Sequence, residues 1–441
     1  MTRGKLLYLE TFGCQMNVSD SEKILTLLKG VGYKPTQDPS QADLVILNTC
    51  SVRAKAEEKV YNHLVQYKGL KRKKPGLILG VGGCVAQQEG VRLLANVPHL
   101  DIVFGTHNLH LLPEMVRAAE EGERLAEVAF IDNETRLDLF PVDDRTDGVS
   151  RFVTVMQGCD NFCTYCIVPY VRGREISRRS ADVLDEISGM VEKGVMEVTL
   201  LGQNVNSYGA KAAGEMNFVS LLREVSKIRG IERIRFTTSH PKDFSRPLID
   251  CFAEIPQLCG HIHLPAQSGS NAVLSAMNRG YTREEYLGSI ALLRAACPGI
   301  QITGDIIVGF PGETEDDFRA TLSLMEEVRY ADVFSFIYSK RPETKAAGFT
   351  DEVGKDEKQE RLDRLIVLQR RITLEINKGF VGTVQKVLIE GESRRGGQLF
   401  GRTSGNRIVN ITADASLVGS MVDVVITRGY QNSLQGELVE E

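Results

Sequence analysis

Cys159, Cys163 and Cys166 fall within eight residues in the stretch VMQGCDNFCTYCIVPY, Val155 to Tyr170. No other cysteine or histidine lies close by in sequence, His240 being the next histidine downstream. This trio restricts what can form around it. A structural zinc site closes with four protein ligands. A four-iron cubane normally takes four thiolates, so three leave one iron open to an outside ligand. Two readings stand at this point: a zinc site completed from elsewhere in the chain, and an iron–sulfur cluster with a free coordination position.

The first 140 residues alternate strand and helix. KLLYLE (5–10), DLVILN (43–48), GLILGVGG (76–83) and DIVFG (101–105) read as buried strands. SDSEKILTLLKGV (19–31) reads as a helix started by a Ser19–Glu22 capping box. A second helix is expected from Val52, Ala56, Val60 and Leu64 at four-residue spacing. Such alternation implies an open parallel sheet covered on both faces. Cys14, Cys50 and Cys84 each stand just past one of the first three strands. The carboxyl ends of parallel strands share one edge, where ligands bind. Three cysteines remote in sequence are thereby expected on one edge, either as a shared ligand site or as small buried hydrophobes.

After a polar, turn-rich stretch at 141–150, six more strands follow: 151–157, 196–202, 233–239, 261–267, 302–310 and 332–338. Six βα units suit a partial (β/α)6 barrel better than a closed eight-unit one. Gly158, Gly202, Gln203, Asn204, Ser239, His240, Gln267 and the 309–314 turn then share the rim. A long amphipathic helix over 355–379 is expected to lead outward. Beyond it, five short β-rich runs with Gly and Asn turns suggest a small five-stranded, OB-like closed barrel. The overall class is α/β in three parts, expected at 1–140, 145–375 and 377–441.

The net charge of −5 excludes a molecule that is basic throughout, so any RNA site must be local. Candidates are Arg402, Arg407 and Arg428, with Arg394 and Arg395, on one face of the tail, and the basic runs 68–74 and 172–179. No membrane-spanning run and no signal peptide are evident, so a cytoplasmic protein with reduced thiols is expected. Cys251, Cys259 and Cys297 fit no ligand spacing and are read as buried hydrophobes, with His261 and His263 as structural residues.

The C-x3-C-x-Tyr165-Cys166 arrangement, after the first strand of a partial barrel, resembles the radical S-adenosylmethionine (SAM) enzymes. Nearly the whole chain resembles the methylthiotransferases, and most of all the MiaB-type enzymes acting on tRNA. TFGCQMNVSDSE, NTCSVRAKAEEKV, GCVAQ, GCDNFCTYCIVPYVRGRE, LLGQNVNSYG and GRTSGNRIVN carry the resemblance. It implies two 4Fe-4S clusters: a SAM-binding one on Cys159, Cys163 and Cys166, and an auxiliary one on Cys14, Cys50 and Cys84. It implies a C-terminal TRAM barrel gripping the anticodon loop of tRNA. One SAM gives a methyl group and a second is cleaved to a 5′-deoxyadenosyl radical. The methylthio group goes to carbon 2 of N6-isopentenyl (dimethylallyl) adenosine beside the anticodon.

The resemblance further implies an electron donor, a sulfur or iron–sulfur supply system and no membrane partner. Tyr165 is expected either to flank the SAM adenine or to be a core tyrosine, and by the fold alone Gly202, Gln203, Asn204, Ser239 and Gln267 are expected to line the SAM pocket. Sister groups act on a ribosomal-protein aspartate or on threonylcarbamoyl-adenosine tRNA. From outside the class, a zinc RNA-binding protein remains as the rival. One segment departs from the family pattern. YSKRPETKAA (338–347) stands where YSPRPGTPAA is usual, so Lys340, Glu343 and Lys345 replace turn-formers.

Overall fold

The computed structural model describes residues 4–51, 54–131, 148–393 and 396–439, with the backbone alone over 54–58. The expectations for Val52, Ala56, Arg394, Arg395 and all but the last three residues of 141–150 lie outside the described residues and side chains.

The first group of elements is a six-stranded parallel sheet. Its strands are β1 (Lys5–Thr11), β2 (Tyr33–Pro35), β3 (Leu44–Thr49), β4 (Ile78–Gly83), β5 (Ile102–Phe104) and β6 (Leu125–Glu127), in the order β2-β1-β3-β4-β5-β6. Both faces are covered, as runs such as LVIL in β3 require. Val60, Leu64 and Leu93 close one face over Val45, Leu47 and Val81. Ile24, Leu28, Leu112 and Met115 close the other over Leu44, Ile46 and Ile102. The strand order reverses between β1 and β3, where an open parallel sheet leaves a crevice at its carboxyl edge.

One expected helix start is corrected. The helix runs Gln15–Lys29 with Cys14 at its N-cap, so Ser19 is interior and forms no capping box. Its hydroxyl instead meets Thr154 Oγ1 at 3.0 Å. Gly13, at φ 110°, turns the chain from β1 straight into the helix.

The second group begins with β7 (Ser150–Thr154), followed by β8 (Met156–Gln157), β9 (Ile176–Ser177), β10 (Glu197–Leu201), β11 (Arg233–Phe236), β12 (His261–His263), β13 (Gln301–Val308) and β14 (Asp332–Ile337). β8 and β9 form a small antiparallel pair of their own. The six remaining strands run parallel as β7-β10-β11 and β12-β13-β14, joined by one bridge between Ile234 and Leu258. This is the expected partial barrel, with one core filled by Val153, Val198, Ile234, Ile262 and Ile306.

The helix Lys355–Gly379 has the expected limits but does not lead outward. It lies along β14, where Gln369 and Thr373 bond to the carbonyls of Tyr330 and Ala331 at 2.8 and 3.1 Å. Arg361, 2% exposed, pairs with buried Glu313 at 2.8 Å. On a purely solvated helix these polar groups would bond water instead.

β15 (Val384–Glu392), β16 (Leu399–Thr403), β17 (Ile408–Ile411), β18 (Met421–Gly429) and β19 (Leu434–Leu438) close a barrel in the order β15-β16-β17-β19-β18. It is fastened to the core by arginines of β11. Arg235 donates to the carbonyls of Thr403 and Ser404, both at 2.8 Å, and Arg233 to those of Arg402 and Lys386 at 2.6 and 2.7 Å. Buried Glu197 balances Arg235 at 3.0 Å. Charged hydrogen bonds contribute about 1.5–3 kcal/mol each. Arg235→Ala is therefore expected to loosen the barrel from the core. Faster hydrogen exchange across 399–411, with exchange across β1–β6 unchanged, is the measurement; equal exchange throughout would refute the clasp.

The described tail arginines, Arg402, Arg407 and Arg428, do not form one exposed cluster. Arg407 turns into the junction and donates to the Ala331 carbonyl at 2.9 Å. Arg402 pairs with Glu390 at 3.1 Å, and of these three Arg428 alone is exposed. Ala331 lies in the core just before β14, so Arg407 is spent on tying the barrel to the core. Among the described residues no helix is long and apolar enough to cross a membrane.

Candidate functional site

Each cysteine trio begins with a Gly-Cys pair at a strand end. Gly13, Gly83 and Gly158 all have φ between +86° and +110°. A Cβ on Gly83 would stand 2.4 Å from the Thr49 carbonyl, and one on Gly158 2.1 Å from the Arg174 carbonyl. Only glycine lets the chain turn this tightly and set the next residue's thiol on the strand-end rim.

Cys14, Cys50 and Cys84 come together at the carboxyl edge of β1, β3 and β4, as the strand pattern required. The side chains of Cys14 and Cys50 are hydrogen-bonding neighbours, and Cys84 stands within electrostatic reach of Cys14. A polar net fixes them. Asn17 Nδ2 donates to the Thr49 carbonyl at 2.8 Å, and Asn48 Nδ2 to the Asn17 carbonyl at 2.8 Å. Thr49 Oγ1 donates to the Gly82 carbonyl at 2.5 Å. The Cys14 thiol is lowered to about 6 by its bond with Cys50, against burial, with help from the Arg172 charge and the helix N-terminal N–H groups of Asn17 and Met16. Burial pushes the Cys84 thiol up.

Cys159, Cys163 and Cys166 share the loop after β8 and act electrostatically on one another. Burial raises the Cys159 thiol to about 11 and the Cys166 thiol to about 12. Such thiols ionise when a metal replaces the proton. Cys163 Sγ accepts from Arg279 Nη1 at 3.4 Å and lies 3.8 Å from His240 Nε2. His240 meets that sulfur as a hydrogen-bond donor. Burial, with the charges of Arg279 and Lys242, lowers it to about 2, so the ring is neutral. Its Nδ1 accepts from the Lys242 N–H, which leaves the proton on Nε2, facing the sulfur.

Among the described residues no three His, Cys, Asp or Glu side chains are grouped to hold one metal ion. A cubane instead takes one thiolate at each iron corner, so a donor set of three thiols fits it with one corner open.

The rim residues separate into two kinds. Ser239 Oγ and Gln267 Oε1 are buried without a hydrogen-bond partner. Gln267 also holds φ 71°, and Thr238, next to Ser239, φ 67°. Unsatisfied polar atoms and strained backbone at a strand-end rim mark a place where a polar ligand belongs. The others have structural partners. Gln203 Oε1 accepts from Gly158 N–H at 2.5 Å, Asn204 bonds Asp243 at 2.7 Å, and Gly202 leaves no room for a side chain beside Met156. Tyr165 packs among Val273, Met277 and Phe310, with its hydroxyl 3.4 Å from Arg279.

The two trios meet across one interface. Cys84 packs against Ile167 and Val171, immediately after Cys166. Arg172, 3% exposed, lies against Cys84 and pairs with Asp20 at 2.7 Å. His107 Nε2 meets the Arg172 carbonyl at 3.0 Å, and Thr106 Oγ1 donates to that of Val171 at 2.5 Å.

Read from sequence, the run 172–179 is a basic surface. In the structure Arg172 is buried, Arg178 pairs with Glu186 at 2.5 Å, and only Arg174 and Arg179 are exposed. In the other run, Lys71 and Lys74 pair with Asp101 and Asp43, just before β5 and β3, on the sheet edge opposite the cysteines. Arg279, Asn17 and Asn48 carry no signal in the sequence, and Arg172 and His240 are placed there only in the basic run and on the rim. The one signal was that Arg172 belongs to the cysteine-bearing segment.

Three family models match in order: the uncharacterized protein family UPF0004 over 6–105, the radical SAM superfamily over 153–325 and the TRAM domain over 378–439. A tRNA-2-methylthio-N(6)-dimethylallyladenosine synthase of Geotalea uraniireducens is 86% identical, covering 99% of this chain and all of the relative. One from Syntrophus aciditrophicus is 50% identical, over 99% of this chain and 95% of the relative. The chain belongs to the tRNA-2-methylthio-N(6)-dimethylallyladenosine synthase family. As a member of that family it is a radical SAM methylthiotransferase, for which a SAM-binding 4Fe-4S cluster is the resident cofactor. The fold has a solved counterpart in a radical SAM methyltransferase, TsrM, of Kitasatospora setae. It matches at TM-score 0.58 and 16% identity, covering 87% of this chain and 77% of that one.

Proposed function

We propose that this chain places a methylthio group on carbon 2 of N6-isopentenyl (dimethylallyl) adenosine beside the tRNA anticodon. Cys159, Cys163 and Cys166 hold the SAM-binding cluster. Cys14, Cys50 and Cys84 hold an auxiliary one. The domains are 1–140, 145–375 and 377–441, the last bearing on the RNA with Arg428.

One observation carries the reading: Cys84 packs on Ile167, next to Cys166, so the two trios flank a single interface. A base placed there is within reach of both. The clusters and SAM supply the one-electron chemistry that an inert aromatic C–H demands, with a second SAM as methyl source. The protein's part is to position and exclude water. Ser239 and Gln267 offer unsatisfied polar atoms to SAM, and the Gly158–Gln203 bond holds the cysteine loop to the next strand. An anticodon-loop base is already single-stranded, so drawing it in costs less than flipping one from a duplex. An electron donor and a sulfur supply complete the reaction, and the cytoplasm is its place.

The test is mass analysis of tRNA nucleosides from cells lacking the protein, joined to anaerobic reconstitution. About eight irons per chain are expected, with 2-methylthio-N6-isopentenyladenosine missing from the cells. Unchanged nucleosides with altered ribosomal protein would redirect the activity to a protein substrate. A colourless zinc protein would end the proposal.

A further inference from the structure

The surface between the two trios is aromatic and strained. Phe162, in the Cys159–Cys163 loop, holds φ 46°. A bulky residue keeps that conformation only where its surroundings enforce it. They do so here. Asn278 Nδ2 reaches the carbonyls of Asn161 and Phe162 at 3.4 and 3.2 Å, and Lys242 Nζ donates to Asn161 Oδ1 at 2.7 Å. The ring this loop presents is 37% exposed, beside a cysteine that is buried.

Tyr170 meets the ring of Phe162 edge-on, with centroids 6.4 Å apart and planes at 87°. Tyr170 in turn packs with Cys84, Ile167 and Val171. One ring thus belongs to the Cys159 loop and the other to the surroundings of Cys84. The Arg174 guanidinium stands 5.0 Å from the Phe162 centroid and is held by Asp160 at 3.0 Å.

We propose that Phe162, braced by Tyr170 and flanked by Arg174, is the stacking surface for the target purine of single-stranded RNA. The inference rests on the reading under Proposed function. A base attacked from one trio and thiolated from the other must lie between them, and these are the rings that lie there. Splayed RNA bases are held by stacking on aromatic rings and arginine planes. Stacking also explains why a phenylalanine occupies a backbone conformation that suits glycine.

The test measures binding of a fluorescent anticodon stem-loop bearing N6-isopentenyl adenosine to the full, cluster-loaded chain. Phe162→Gly relieves the backbone strain, so the fold does not suffer. It is expected to bind the stem-loop about tenfold more weakly, since stacking is lost. Phe162→Tyr is expected to bind like wild type. Tyr170→Leu, outside the cysteine loop, is expected to weaken binding as well. Iron and labile sulfide should stay at wild-type levels in all three. With an abasic target position, wild type and Phe162→Gly are expected to bind equally.

Equal affinity of wild type and Phe162→Gly for the full stem-loop overturns the platform alone. So does a drop in SAM affinity without a drop in RNA affinity, which would assign the ring to the SAM pocket. Wild-type chain that binds no stem-loop overturns the platform and the tRNA reading together.

Discussion

With Cys84 changed to alanine, iron falls from about eight to about four per chain and methylthiolated adenosine disappears. 5′-Deoxyadenosine still forms from SAM. The expectation follows from where the sulfurs stand. Cys84 is 4% exposed at the first turn of a helix after β4, with Cys14 and Arg172 as its electrostatic neighbours. None of the three thiols on the other loop depends on it for a bond. Cys163 takes its contacts from Arg279 and His240 instead. Removing one of three ligands from an already under-liganded cluster leaves two, too few to retain it. Iron analysis, nucleoside mass analysis and 5′-deoxyadenosine assay of one preparation separate the outcomes. Loss of SAM cleavage along with thiolation, or survival of thiolation, would show that the trios do not divide the labour.

The strand ends were legible because a parallel sheet leaves few choices. Apolar runs such as LVIL and ILGV can be buried on both faces only between helices, and that fixes which edge receives Cys14, Cys50 and Cys84. The five barrel strands and the limits 355–379 were legible for similar reasons of period and turn chemistry. What sequence did not reveal lies between elements. RIRF in β11 reads as an ordinary strand, yet Arg233 and Arg235 share a face and are spent on barrel carbonyls. Arg172 reads as one more surface cation and is buried. The Ser19–Glu22 spacing matches a cap, but the turn at Gly13 had already begun the helix.

Residues 338–347 show the same limit. Glu343 stands at φ 66°, where the resemblance led one to expect glycine. Ala346 N–H of that loop donates to the Thr164 carbonyl at 2.8 Å, between Cys163 and Cys166. The atypical loop therefore buttresses the cysteine loop, which no pattern of residues disclosed.

Asp20→Ala is expected to weaken the joint between the two trios by about 3–5 kcal/mol, the cost of leaving a buried charge without its partner. Asp20 lies in the second turn of the helix capped by Cys14, and Arg172 follows the Cys166 segment. Their 2.7 Å ion pair has side chains only 8% and 3% exposed. Arginine cannot shed its proton to escape the penalty. Burial opposes the guanidinium charge, and Asp20 first, then Cys84 and Cys14, favour it. Replacing the pair by apolar side chains of similar size, Asp20→Leu with Arg172→Met, is expected to recover much of the stability, because both desolvation costs vanish together. Hydrogen exchange across 15–29 and 168–172 reads the joint directly, where one melting midpoint for a chain of several domains would not. Unchanged exchange in Asp20→Ala would mean the pair does not hold the joint. A loosened joint has a chemical consequence as well. SAM cleavage needs only the Cys159 loop, whereas thiolation needs both trios at a fixed separation, so Asp20→Ala should cleave SAM without a matching yield of methylthiolated base.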